Sequence, residues 1–395
     1  MVKKKIGIYL GVQTFAGGMF QYAQSILFAL STLNKEEYEI TVLFIDEDWR
    51  KILSNSNFNC IKYKNHFIDR FLSNVSMFFN IPYSFSRFIF SKLSLLVRKL
   101  DNLNNDIWIF PAQEIFSHCI RSKSIGTIHD LMHRYEKFPE VNSPFRFYFR
   151  EYRFKGIAQC CSGILVDSDV GKSQVIQAYN IEQSKIYVLP YVAPNYIHNK
   201  LEVANFDNLY NLPSKFFFYP AQFWPHKNHN LLLRAIAILK KTIPDVALVL
   251  SGGFNHDYKK IYNLSLSLGL KNNITFVGYI PDSHIRGFYI RARALVMPTF
   301  FGPTNIPPLE ALACNCPIAV SKIYGMPDQL GNSAMYFNPN SVDELVNVLE
   351  ILWEDDSFCH ELIEIGIKWS NSWNFKKFSI QLKQIIDNIY IKEKI

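Results

Sequence analysis

The sequence predicts an α/β protein made of two Rossmann-like, doubly wound domains. Three observations carry that expectation. The chain has 395 residues, more than one core comfortably holds, since single domains usually contain about 100 to 200 residues. Short, continuously apolar runs bounded by turn residues recur along its whole length, as in strands covered on both faces. Stretches of helical spacing separate most of these runs, and alternation of this kind builds parallel sheets.

The expected strands are six in each half. In the first half they are residues 6–10, 40–45, 107–111, 124–129, 163–168 and 186–190. In the second they are 216–221, 247–253, 274–280, 294–299, 317–322 and 334–339. The basic start and apolar run of MVKKKIGIYLG imitate a signal peptide, but the run is short and broken by Gly11, so a first buried strand is the better reading. No apolar stretch approaches the roughly 20 residues of a spanning helix. The polar, Asn-rich segment 191–212 reads as a linker, which gives an N-terminal domain 1–190, a C-terminal domain 213–368, and a closing helix within 369–395 expected to pack back on the first domain. Two domains of this kind would enclose a cleft, with ligands held beyond the carboxyl ends of the strands.

Composition narrows the function. Hydrophobic residues make up 49% and charged residues 19%, which excludes a disordered or low-complexity chain. The formal charge of +8 is uneven, +7 over residues 1–200 and +1 over the rest, so an anionic partner is expected at the first half. Seven cysteines without paired spacing suggest neither a disulfide framework nor a structural zinc site, and hence a reducing, cytoplasmic setting. Nucleic acid fits the charge poorly, because no recognition motif accompanies it.

The loops after the strands hold the candidate chemistry. Gly17 and Gly18 stand before an amphipathic helix, where free amides can meet a phosphate; the alternative is a plain turn. His129 and Asp130 end a strand, with His133 and Arg134 behind them, and a His there can donate to a substrate hydroxyl or pyrophosphate while the Asp orients it; a packing pair is the alternative. Gly171, Lys172 and Ser173 imitate the end of a P-loop but lack its upstream glycine, and Asp167, Ser168 and Asp169 are read as a helix cap rather than a metal motif. In QFWPHKN, Lys227 precedes a helix and suits the diphosphate of a leaving nucleotide, against a merely solvated lysine. In FGPTNIPPLEA, Thr304, Asn305 and Ile306 would bring backbone amides to a proline-led helix, and Glu310, one turn inside, could accept two ribose hydroxyls or simply favour the helix dipole.

The series YPAQFWPHKN, LSGG, ITFVGYIPDSHIRGFYIRARALVMPT, FGPTNIPPLEALACNCPIAV and AMYFNPNSVDEL resembles the C-terminal domain of retaining glycosyltransferases of the GT-B fold, specifically glycosyltransferase family 4. GGMFQYAQ and TIHDLMHR resemble its N-terminal features more loosely. The resemblance implies a nucleotide-diphosphate sugar held mainly by the C-terminal domain, a polyprenol-linked or saccharide acceptor held mainly by the N-terminal one, and no metal or other cofactor. By position, Lys227 would bind pyrophosphate, Glu310 ribose, Asn305 and Ile306 the donor phosphate and sugar. His129 would stand beside the donor sugar, and Gly17 and Gly18 would form the glycine-rich first loop.

Two positions depart from the family pattern. Eight residues before Glu310, where the family has a second glutamate, stands Gly302, and five before Lys227, where it has an arginine, stands Gln222. Donor-sugar identity is left open by these changes more than activity.

The segment 67–100 gives apolar residues at Phe85, Phe88, Ile89, Leu93, Leu96 and Leu100, a helical spacing interrupted upstream by Pro82, with Arg70, Arg87, Lys92, Arg98 and Lys99 against a single acid, Asp69. Such a helix could lie in a headgroup layer or pack on its own sheet, one stripe serving one purpose. The expectation is therefore a retaining hexosyltransferase of surface-polysaccharide synthesis (O-antigen or capsule), peripheral at the inner face of a membrane. Its rivals are a nucleotide-sugar epimerase or hydrolase, and a non-catalytic subunit that binds nucleotide or membrane.

Overall fold

The computed structural model describes residues 3–13, 17–54, 56–200, 203–254 and 256–391. The chain divides into two compact units, residues 1–191 with 375–395, and residues 192–374. Each is built on one parallel sheet.

The first unit contains β1 (Lys4–Leu10), β2 (Tyr38–Phe44), β3 (Asn59–Lys62), β4 (Ile107–Ile109), β5 (Lys123–Thr127), β6 (Gly163–Val166) and β7 (Ile186–Val188), in the order β3-β2-β1-β4-β5-β6-β7. The second contains β8 (Phe217–Pro220), β9 (Leu248–Ser251), β10 (Ile274–Gly278), β11 (Ala294–Met297), β12 (Ile318–Ser321) and β13 (Met335–Phe337), in the order β10-β9-β8-β11-β12-β13. All twelve expected strands are present. The additional one, β3, is an edge strand whose residues NCIK are mostly exposed, so it carries no apolar run and exists by pairing Asn59–Lys62 with Thr41–Phe44. The central strands are apolar because both their faces are covered: Leu248–Leu250 and Ala294–Val296 are fully buried.

Chain order reverses between β1 and β4 in the first sheet and between β8 and β11 in the second. Outside the carboxyl ends of such strand pairs a crevice opens, because the connections leave toward opposite faces. Glu114, Lys227 and the loop 298–306 therefore sit at these two switch points.

The segment expected as a linker is packed. Ile197 and Phe206 are buried in the core of the second unit, and Tyr196 belongs to its site. The closing helix begins at Phe375 rather than near 369 and runs to Ile391. Its apolar face, Phe378, Leu382, Ile385, Ile386 and Ile389, is buried. Lys4 bonds Asp387 at 2.6 Å, and Phe378 lies edge-on to Tyr22 at 6.2 Å, so this helix belongs to the first unit.

The segment 67–100 forms three helices, Phe67–Phe78, Tyr83–Leu93 and Leu95–Asn102. Their inner faces bury Leu72, Met77, Phe90, Leu96, Val97 and Leu100 against Tyr9 and Trp108. Their outer faces expose Phe67, Phe71, Phe78, Phe79, Phe85, Phe88 and Leu93, with Phe67 80% exposed. The expectation of one stripe with one purpose is overturned: proline and serine breaks reorient the helices, so some apolar residues pack and others face outward. No helix of the described residues is long and apolar enough to cross a membrane.

Candidate functional site

In the second unit, the loops after β8 and β11 are stitched together. The carbonyl of His226 accepts from the amide of Phe300 at 2.8 Å and from the hydroxyl of Thr299 at 3.2 Å, and the His226 ring stacks on Phe301 at 3.9 Å. Burial, aided by the charges of Lys227 and His229, lowers the His226 pKa to about 2, so the ring is neutral. Tyr219 donates to the Lys227 carbonyl at 3.1 Å, and the Asn228 amide group donates to the Pro339 carbonyl at 2.9 Å.

This frame fixes the backbone of Lys227 and leaves its ammonium without an anionic partner among the described residues. Burial alone lowers its pKa to about 8. A half-buried cation that no carboxylate neutralises is a site of positive potential, suited to a diphosphate. Gln222, in place of an arginine, accepts from the Gly253 amide at 3.1 Å and so joins the ends of β8 and β9 rather than adding charge.

Glu310 lies in the helix Pro307–Ala313 and is buried. Two tyrosine hydroxyls bond its carboxylate, Tyr196 on Oε1 and Tyr289 on Oε2, the latter at 2.7 Å. Burial raises its pKa, and these two bonds oppose the rise. The two hydroxyls expected from a ribose are thus supplied here by the protein. Neither tyrosine was singled out in the sequence; Tyr196 lay in the expected linker.

The expectation that Thr304, Asn305 and Ile306 offer free amides needs correction at Asn305. The Asn305 amide donates to Gln329 Oε1 at 3.0 Å, and the Asn305 carbonyl accepts from Gln329 Nε2 at 2.7 Å, so a glutamine 24 residues away closes that donor. Pro307 and Pro308 have no amide, and the amides of Leu309 and Glu310 return to the Ile306 carbonyl at 2.8 and 3.2 Å. Thr304 and Ile306 are buried. Gly302 also fits its place: its φ is +114°, and a Cβ there would fall 2.9 Å from the side-chain nitrogen Nδ2 of Asn305. A glutamate at 302 would be strained on this backbone, which marks the departure as part of a rebuilt loop.

In the first unit, Gly17 caps the helix Gly18–Ser31 with φ 59° and ψ −124°, a conformation for glycine, and among the described residues no side chain caps the first amides. Gly17 and Gly18 are both exposed, while residues 14–16 of the same loop lie outside the described residues. The P-loop imitation is a cap, with Ser168 Oγ accepting from the Gly171 amide at 3.0 Å.

His129 differs from its expected role. Its Nε2 is 2.9 Å from the Pro111 carbonyl and its Nδ1 is 2.9 Å from the Tyr191 hydroxyl. A carbonyl only accepts, so Nε2 carries the proton and Nδ1 accepts from Tyr191. Burial lowers its pKa to about 4. Both nitrogens are engaged inside the unit, and His129 is a neutral packing residue with no proton left for a substrate. Asp130 does not orient it: its carboxylate accepts from the Met132 amide at 3.0 Å and pairs with Arg150. His133 and Arg134 both bond Glu151 at 2.6 Å.

Of the basic residues expected to face a membrane, Lys92, Arg98 and Lys99 are exposed. Arg87 is exposed as well, and its guanidinium also donates to the carbonyls of Ile120 and Arg121. Asp69 is buried and accepts from Tyr63, Ser94 and the Leu96 amide, at 2.6, 2.6 and 3.2 Å, so the acid of this segment is withdrawn from its surface.

Comparison with known proteins gives the same picture. Residues 202–369 match the family described as glycosyl transferases group 1. The chain is 28% identical over 222 residues to an O-antigen chain mannosyltransferase, RfbU, of Salmonella typhimurium, covering 56% of this chain and 58% of that protein. It is 25% identical over 264 residues to O-antigen chain mannosyltransferase B of Escherichia coli, covering 66% and 68%. The chain therefore spans less than two thirds of the first of these relatives. Among solved structures, HepE of Anabaena, in complex with UDP-glucose, superposes with a TM-score of 0.73 at 17% identity, covering 97% of this chain and 99% of that one. Two parallel-sheet units, the matched stretch and the mannosyltransferase relatives agree with the resemblance read from the sequence: the fold is GT-B, and residues 202–369 of the second unit match the group 1 glycosyl transferase domain.

Proposed function

We propose that the chain is a retaining glycosyltransferase that moves a hexose from a nucleotide-diphosphate sugar to a lipid-linked or saccharide acceptor in bacterial-type surface-polysaccharide synthesis. Mannose is the first sugar to test, because the curated relatives are named for it. The observation that carries the reading is Lys227: an unpaired, half-buried ammonium at the switch point of the second sheet, inside the stretch that matches the family.

In this reading the bond between the sugar C1 and the diphosphate oxygen breaks as Lys227 neutralises the charge growing on the leaving group. The acceptor hydroxyl attacks C1 from the face the diphosphate leaves, and its proton passes to the departing phosphate. Retention then needs no carboxylate nucleophile, and no metal or other cofactor enters the step. Glu310, held by Tyr196 and Tyr289, would share its oxygens with a ribose, since each carboxylate oxygen can accept a second bond. The protein would work at the cytoplasmic face of a membrane, its three-helix segment turned to the lipid surface.

The test is a thermal-shift screen of UDP- and GDP-sugars on the purified chain, followed by mass analysis of products with a membrane glycolipid extract as acceptor. Transfer of one intact hexose supports the reading. Sugar released equally with and without acceptor marks a hydrolase instead, and turnover unchanged in Lys227→Ala removes the role given to that lysine.

A further inference from the structure

The switch point of the first sheet holds an unsatisfied polar cluster. Gly11 follows β1 and Glu114 follows β4, in the segment FPAQE. A Cβ on Gly11 would fall 2.5 Å from the Tyr9 ring and 2.6 Å from Glu114 Oε1, so the glutamate side chain lies beside Tyr9 over the end of β1 and both need a bare Cα beneath them. No described residue donates a hydrogen bond to this carboxylate. Burial holds its carboxyl above the usual range, with the charge of Arg153 opposing.

Arg153 lies on the helix Pro144–Cys160. Its Nε is buried and unbonded, and its terminal nitrogen reaches only the sulfur of Met77, at 4.0 Å. It approaches no carboxylate oxygen, Glu114 included, within 4.0 Å. Three residues earlier on the same helix, Arg150 pairs with Asp130 and leaves its own Nε buried and unbonded. Buried polar groups are nearly always paired. The two guanidinium edges are buried and open, and the Glu114 carboxylate, which interacts with the charge of Arg153, is partly exposed and has no donor among the described residues, so the group suits something that both donates and accepts. An anion would meet Glu114 and Asp130, and a cation would meet the arginines. A neutral hydroxylated ring satisfies both, each hydroxyl donating to the glutamate and accepting from arginine.

We propose that Glu114 and Arg153, with Gly11 beneath them, form a saccharide-binding subsite at the first switch point, which takes hydroxyls of the acceptor sugar. The assignment rests on the transferase reading above. Glu114 binds through its charge and Arg153 through its Nε edge, while Gly11 is a positioning residue that gives Glu114 its place.

The probes are methyl α-mannopyranoside, methyl α-glucopyranoside and methyl α-galactopyranoside, titrated onto the full chain by saturation-transfer NMR, with UDP and GDP titrated in parallel. At least one glycoside should bind saturably. Its Kd should rise fivefold or more in both Glu114→Gln and Gly11→Ala, with nucleotide Kd held within twofold and both variants melting cooperatively. A wild-type chain that binds nucleotide but no glycoside, or a Glu114→Gln variant that binds glycoside as well as wild type, overturns the subsite alone. A wild-type chain that binds neither UDP nor GDP defeats the transferase reading and the subsite with it.

Discussion

At the switch point of the second sheet most polar groups are bonded to one another, with His229 Nε2 the buried exception beside Lys227, whereas at that of the first a carboxylate and two guanidinium edges are left open together. Glu310 holds two tyrosine hydroxyls, Asn305 is locked by Gln329, and Gln222 bridges two strand ends. Lys227 stands in this closed frame as an unneutralised charge. In the first unit Glu114, Arg153 and the Nε of Arg150 have no bonds of these kinds, and a row of phenylalanines faces outward nearby in sequence. The difference teaches that one unit is preorganised around a single electrostatic task, and the other keeps polar and apolar surface in reserve for larger or more varied ligands.

The strongest way to break this comparison is to remove the isolated charge. Lys227→Ala should lower turnover about 100-fold or more, as loss of a transition-state donor commonly does, with a melting temperature near pH 7 that stays level or rises, because no partner among the described residues is orphaned and a desolvated charge is removed. Steady-state rates and calorimetry on the same preparation check both halves of that statement. Restoring the family's glutamate tests whether the loop is rebuilt or decayed. Gly302→Glu should destabilise the chain by about 2–3 kcal/mol, from the left-handed φ and the clash with Asn305, and should lose activity rather than gain it. A variant with higher activity would mean that the loop tolerates the older arrangement.

The outer aromatic face sharpens the other side. Phe67→Ser with Phe71→Ser removes two exposed rings that stack on each other at 5.9 Å and pack on no core. Binding to vesicles containing anionic lipid should weaken roughly tenfold, since interfacial affinity follows buried apolar area, while folding is unchanged. Unaltered sedimentation with vesicles would assign these rings to another partner. His129→Phe separates packing from chemistry in the same unit: it removes two internal hydrogen bonds and should destabilise by about 1–3 kcal/mol, with the donor KM within twofold of wild type.

Much of the fold was legible in the sequence because parallel strands are buried on both faces and so read as unbroken apolar runs. β3 was not, since an edge strand of NCIK is specified by its partner rather than by its own hydrophobicity. The second-unit loops were legible as segments, from Lys227, Gly302 and Glu310 in fixed order, but not in their bonding. Gln329, Tyr196 and Tyr289 reach the site from distant segments, and nothing local marks a tyrosine that will face a glutamate. His129 misled for a related reason: a histidine at a strand end looks the same in sequence whether its partners are a substrate or a carbonyl and a phenol. In 67–100 the break at Pro82 was legible but that at Ser94 was not, because spacing alone does not say where a serine ends one helix and caps the next.

The smallest effect expected is also the most diagnostic, because two observables should move in opposite directions. The Lys227 pKa in the free protein is about 8, below the ordinary 10.5. Between those values the unfolded chain binds a proton at this position that the folded chain does not, so this lysine's contribution makes folding more favourable as pH rises through that window. Nucleotide affinity should do the reverse. The diphosphate needs the ammonium, so UDP or GDP Kd should weaken severalfold as pH climbs from about 7.5 to 9.5. In Lys227→Arg the guanidinium stays charged throughout, and that slope should flatten. Isothermal titration at several pH values, with melting curves of the free protein alongside, measures both trends. A nucleotide affinity indifferent to pH in the wild type would mean that Lys227 does not meet the diphosphate, whatever its exposure, and would leave the second unit without the charge on which its side of the comparison rests.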